Sequence, residues 1–107
     1  MSKKYLLHAK YTSSGVEALL KKGGSVRKAA IEKMMNDAGG KLEAFYYTLN
    51  PDEAYLILEL PDDVSAAALS LHTDSTGKAD VDMIALLTPE QIDEAAKKVI
   101  HYIAPGQ

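Results

Sequence analysis

The densest chemistry in the chain lies in one octapeptide, Lys21, Lys22, Gly23, Gly24, Ser25, Val26, Arg27 and Lys28. Paired glycines leave backbone amides free at a helix start, Ser25 offers a capping hydroxyl, and four cations surround them, which suits an anion. Arg27 is the only arginine, and a guanidinium grips a carboxylate or phosphate through two parallel hydrogen bonds. The competing reading is a glycine hinge with an ordinary cap and solvated cations. The glycines lack the spacing of a dinucleotide fingerprint and no Gly-Lys-Ser/Thr ending follows, so neither NAD nor ATP is expected. Tyr11, Tyr46 and Thr48 fall by alternation on a strand face predicted to lie under helices, where a gap would hold a small aromatic or acidic molecule. Tyr11, Ser25, Arg27 and Tyr46 are therefore the candidate ligand-binding residues, against the plainer reading that both tyrosines are core edges.

His8, His72 and His101 show none of the short spacings that place two metal ligands on one helix face, so no metal site and no cofactor is expected. His8, on a strand beside Glu43, Glu59, Asp80 and Asp82, is a candidate general base; a hydrogen bond at an interface is its plainer role. Neither a nucleophile elbow nor a serine with a base partner is visible, so no catalytic residue is assigned. Met34 and Met35 read as core filler and its helical neighbour, and Asp62 and Asp63 as helix-start acids.

Composition narrows the field further. The 107 residues are 47% hydrophobic and 25% charged, which fits one folded domain over 1–107 and disfavours both disorder and a membrane span. Twelve Lys and Arg against 15 Asp and Glu give a net charge of −3, which argues against nucleic acid as a partner. The absence of cysteine excludes disulfides, thiolate nucleophiles and cysteine zinc sites. The apolar run before His8 is too short for a signal-peptide core, so a cytoplasmic location is expected.

These residues must be positioned by a small set of elements. Tyr5, Leu7, Ala9 and Tyr11 alternate as a first strand. Thr12 to Ser14 cap a helix that Gly23 and Gly24 interrupt; Ser25 caps its restart, and Val26, Ala29, Ala30, Ile31 and Met34 carry it to Gly39 and Gly40. Lys41 to Leu49 and Ala54 to Leu60 read as a hairpin turning at Asn50 to Glu53. Pro61, Asp62 and Asp63 open a second helical region whose buried stripe is predicted as Val64, Ala67, Ala68 and Leu71, fading near Thr73 to Gly77. Lys78 to Leu87 gives a fourth strand. Thr88, Pro89 and Gln91 cap a last helix lined by Ile92, Ala95, Ala96 and Val99. The order predicts an α+β, ferredoxin-like βαββαβ sandwich with a C-terminal helix. RNA-recognition domains share that order, but the third strand here, AYLILE from Ala54, lacks their basic and aromatic signature.

Strand parity assigns Tyr5, Leu7, Ala9, Tyr11, Leu42, Ala44, Tyr46, Leu56, Leu58, Leu60, Val81, Met83 and Ala85 to the helix side. The other face collects Leu6, His8, Lys10, Glu43, Phe45, Tyr47, Tyr55, Ile57, Glu59, Asp80, Asp82 and Ile84. So large an apolar patch predicts cover by a second copy, a homodimer through the sheet faces.

The chain resembles the GYD domain family over nearly its whole length. The resemblance is carried by Gly23, Gly24, Ser25 and Arg27, by GGKLEAFYY from Gly39, by LPDDVSAAAL from Leu60 and by LLTPE from Leu86. It implies the fold of the dimeric α/β barrel superfamily, whose members include cofactor-free monooxygenases, isomerases and haem-handling enzymes. Asp52 and Glu53 stand where the family has its tyrosine and aspartate, with Asn50 near its glycine, so an activity resting on that tyrosine does not carry over. The expected function is a homo-oligomeric binder of a small aromatic or acidic molecule. The alternatives are a cofactor-free monooxygenase or isomerase, and a structural assembly module.

Overall fold

Period-two apolar residues make the strands, and helix caps place the helices above them. A computed structural model describes residues 2–107. Its elements are β1 (Lys3–Tyr11), α1 (Ser13–Lys22), α2 (Gly24–Asp37), β2 (Lys41–Tyr47), β3 (Glu53–Leu60), α3 (Asp63–Ser75), β4 (Ala79–Leu86) and α4 (Pro89–Lys97). The sheet order is β2-β3-β1-β4, with every neighbouring pair antiparallel. This is the α+β, ferredoxin-like arrangement the sequence predicts. No helix among the described residues is long and apolar enough to cross a membrane.

The core lies between the sheet and the helices α1 to α3. β1 contributes Tyr5, Leu7, Ala9 and Tyr11, β3 contributes Ala54, Leu56, Leu58 and Leu60, and α2 contributes Ile31 and Met35. Met35, Leu58 and Leu60 are fully buried, each contributing about 1.5–3 kcal/mol through apolar surface removed from water. Thr12 caps α1, Asp62 caps α3, and Thr88 and Gln91 form a complete capping box on α4 with Pro89 in its first turn. Gly23 separates α1 from α2 with φ of 86°, a left-handed value that side chains beyond glycine resist.

Three sequence expectations are corrected. The buried side of α3 is Ala66, backed by Leu69 and Thr73, whereas Val64 and Leu71 are 78% and 73% exposed. This rotation brings Asp63, the first residue of α3, to the Tyr5 hydroxyl, from which it accepts a 2.5 Å hydrogen bond, and to Lys3 at 3.3 Å. Residues 63, 66, 70 and 73 therefore share the sheet-facing side. α4 ends at Lys97 because Lys98 is extended, so Val99 lies beyond the helix. β2 contains a register shift between Leu42 and Ala44, whose consequence for the site follows below.

The Tyr5–Asp63 contact has a pH signature. Burial first, and then the hydrogen bond to Asp63, push the Tyr5 phenol up to about 12. The same hydrogen bond, with Lys3 behind it, holds Asp63 below its ordinary 3.8. The raised phenol contributes stability below its unfolded value of 10.0 and loses it as pH climbs toward 12. The depressed carboxylate contributes above 3.8 and loses it as pH falls through the lowered value. Ultraviolet titration should therefore show a phenol that ionises near 12, which Tyr5→Phe removes. An unchanged alkaline limb in that variant would contradict the contact.

Candidate functional site

Three helices rising from one sheet face leave a cleft where α1, α2 and α3 splay apart. It encloses about 760 Å³ over a floor of Tyr11, Lys78 and Ala79. Its walls are Gly15, Ala18, Leu19 and Lys22 of α1, Val26, Arg27, Ala30 and Met34 of α2, and Leu69, His72 and Thr73 of α3. A deeper recess of about 20 Å³ shares Tyr11, Arg27, Leu69, Thr73 and Ala79 with it and continues to Phe45 and Leu56. The lining is mostly aliphatic and carries Lys22, Arg27 and Lys78 but not one Asp or Glu, in a chain with 15 of them.

Arg27 stands on the sheet-facing side of α2, one turn before buried Ile31 and two before buried Met35. It is half-buried, lines both the cleft and the recess, and has no ion pair or side-chain hydrogen bond among the described residues. A cation in that setting is short of counter-charge, because partial burial weakens its hydration without supplying a partner. The break at Gly23 is what creates the placement: it restarts the helix with Arg27 turned inward beside Tyr11.

Of the four candidate residues, Tyr11 and Arg27 meet in the cleft, and Ser25 and Tyr46 do not. Ser25 is exposed, and α2 is capped at Gly23 without a side-chain hydrogen bond, so the expected hydroxyl cap is absent. Tyr46 is 72% exposed and pairs with Tyr55 on the opposite face of the sheet. The cause is the β2 bulge: one extra residue after Leu42 reverses the parity of everything beyond it. Ala44 and Tyr46 thus move to the outer face, while Phe45 and Tyr47 join the helix side opposite Leu56 and Ala54.

Tyr47 is the residue that sequence reading missed. Its hydroxyl donates to the Gly24 carbonyl at 3.2 Å, and its ring lies close enough that a Cβ on Gly24 would come within 2.8 Å of it. Burial raises its phenol pKa, with the Tyr11 hydroxyl adding to the effect and the Arg27 charge opposing it. Tyr11, Tyr47 and Arg27 are therefore electrostatic neighbours. No glycine or proline marks the bulge, so the adjacent pair Tyr46-Tyr47 was the available signal and did not reveal which ring faced inward.

The outer face holds a separate polar cluster. His8 Nε2 lies 2.8 Å from Glu53 Oε1, and Asn50 Nδ2 donates to Glu53 Oε2 at 2.7 Å. Hydrogen bonds from His8 first and Asn50 second hold Glu53 below the usual carboxylate value, so the carboxylate accepts and the imidazole donates. The His8 ring stacks on Tyr55 at 4.7 Å, and its Nδ1 is 3.9 Å from Asp82. Glu53, at the turn where the family residues differ, thus orients His8 on the face away from the cleft. No group of three or more His, Cys, Asp and Glu side chains among the described residues is arranged to hold a metal.

No curated protein and no solved structure gives a significant match to the chain. A family model described as the GYD domain matches residues 5–96, which spans every element from β1 to α4 except their outermost residues. By that match, the chain belongs to the GYD domain family.

Proposed function

We propose that the protein binds a small organic anion with an apolar body, an aromatic or short aliphatic carboxylate, in the cleft between sheet and helices. The observation that carries this reading is Arg27, inward-facing and without a counter-ion among the described residues, in a cleft whose lining is mostly aliphatic and holds no acid. A carboxylate seated on the guanidinium supplies the missing charge through paired hydrogen bonds, and the aliphatic walls bury the rest of the molecule. Tyr11, on the floor of the cleft, gives the ligand a hydroxyl contact, and Tyr47 braces the start of α2 through the Gly24 carbonyl. The protein works as a homodimer through the outer sheet faces, in the cytoplasm. Leu6, Tyr46, Tyr55, Ile57 and Ile84 on that face support the dimer, since they form a patch of the kind that marks protein interfaces.

Thermal unfolding in the presence of benzoate, naphthoate and octanoate, each beside its neutral amide, tests the reading. A ligand at about 100 times its dissociation constant stabilises the native state by about 2.7 kcal/mol. A saturable rise in Tm is expected with at least one acid and not with its amide. Equal shifts for acids and amides, or a flat response to all of them, would remove anion recognition and leave the assembly role.

A further inference from the structure

Helices shorter than about 12–15 residues are marginal in water without a surface to pack on. α4 has nine residues, and none of them is buried. Every residue from Ile84 to Gln107 is exposed, and the tail after α4 adds Val99, Ile100, Tyr102 and Ile103, each at least 73% exposed. These tail residues lie outside the family match, which stops at residue 96.

The protomer is correspondingly open. Its radius of gyration is 16.9 Å, against about 13 Å for a compact chain of this length. Its accessible surface is 7776 Å², against about 5,800 Å² for a compact monomer of 11.6 kDa. The excess of about 1,900 Å² is more than twice the roughly 800 Å² that each partner contributes to a standard interface.

We propose that α4 and the tail 98–104 form an arm that reaches to a second copy of this chain and covers the tyrosine-bearing end of its outer sheet face, each copy gripping the other. The inference rests on the dimer reading above and adds the exchange of arms to it. Topology favours this occupant. The arm leaves at Leu86, level with Lys4, Glu59 and Lys41, at the end of the sheet opposite the row Tyr46, Tyr55, His8 and Asp82. A twofold axis running across the strands reverses those ends, so each arm starts above its partner's tyrosine row. One symmetric contact then covers two apolar surfaces that a lone protomer leaves open.

The chain has no cysteine, so introduced thiols report without background. Full-length Ile103→Cys is mixed with full-length Tyr46→Cys bearing a size tag, allowed to exchange subunits and oxidised mildly. Both positions are exposed and neither substitution disturbs the core. The expected product is a disulfide joining one chain of each kind, lost when Lys33→Cys on the exposed side of α2 replaces Tyr46→Cys. In parallel, Ile100→Asp combined with Ile103→Asp should weaken the dimer by about tenfold or more, because two apolar anchors become charged. A dimeric mass with Tyr46 and Lys33 thiols reacting equally would overturn the arm and leave the sheet dimer standing. Closure of the disulfide within one chain carrying both thiols would assign the arm to its own sheet and overturn the exchange. A monomeric mass at micromolar concentration would remove the dimer and the arm together.

Discussion

Arg27→Ala is expected to abolish the preference for acids over amides and to weaken binding of the best carboxylate between about tenfold and a hundredfold. The range follows from about 1.5–3 kcal/mol for a hydrogen bond to a charged group and 1.4 kcal/mol per tenfold in affinity. The protein itself should not suffer, because Arg27 has no ion pair or side-chain hydrogen bond to lose among the described residues, and removing a half-buried uncompensated charge is neutral or favourable to folding. Arg27→Lys separates charge from geometry. The lysine keeps the charge and lacks the planar fork, so it should restore only part of the affinity. Calorimetric titration of the three proteins with one acid is the measurement. Equal dissociation constants for wild type and Arg27→Ala would place the anion elsewhere.

Gly15→Ala is expected to destabilise the fold by about 3 kcal/mol, the upper part of the range for overfilling a packed site. Its sign is what makes it informative. In an ordinary helix interior the same change stabilises by about 1 kcal/mol, because alanine is the better helix former. Gly15 lies in α1, is buried, and a Cβ there would sit 2.1 Å from the Lys78 carbonyl oxygen. That carbonyl cannot easily retreat. It accepts the Thr12 amide at 2.9 Å and shares the single Thr12 hydroxyl proton, at 3.1 Å, with the Gly77 carbonyl at 2.8 Å. These bonds stitch the first turn of α1 to the loop before β4, and they form one end of the cleft. Urea denaturation measures the difference directly. A midpoint equal to or above that of wild type would mean that the close approach of α1 to Lys78 is not present in solution.

The order of elements, the caps at Thr12, Asp62 and Thr88 and the helix break were legible from neighbouring residues alone, whereas the cap expected from Ser25 did not form. Asp62 and Thr88 cap where their spacing says they should, Gly23 takes the left-handed turn, and β1 and β3 keep strict alternation. Each of those features is decided within a few residues of chain, by hydrogen bonds and dihedral preferences that the local sequence specifies. That Arg27 and Tyr11 would come together at the cleft was legible for the same reason, one being a lone guanidinium at a helix restart and the other the end of an alternating strand.

What local reading got wrong were phases. Tyr46 and Tyr47 exchanged faces because a single extra residue in β2 shifts the pairing with β3, and a one-residue slip inverts every side chain beyond it. The buried side of α3 was misassigned because two apolar stripes compete on that helix, and which one meets the sheet depends on partners far along the chain, as the contact between Asp63 and Tyr5, 58 positions apart, illustrates. The amphipathic pattern of α4 was plain, yet only the tertiary structure shows that no surface of its own chain receives it. Propensity and capping are short-range and so are written in the sequence, whereas register, helix rotation and docking depend on which distant atoms arrive opposite one another once the sheet has closed.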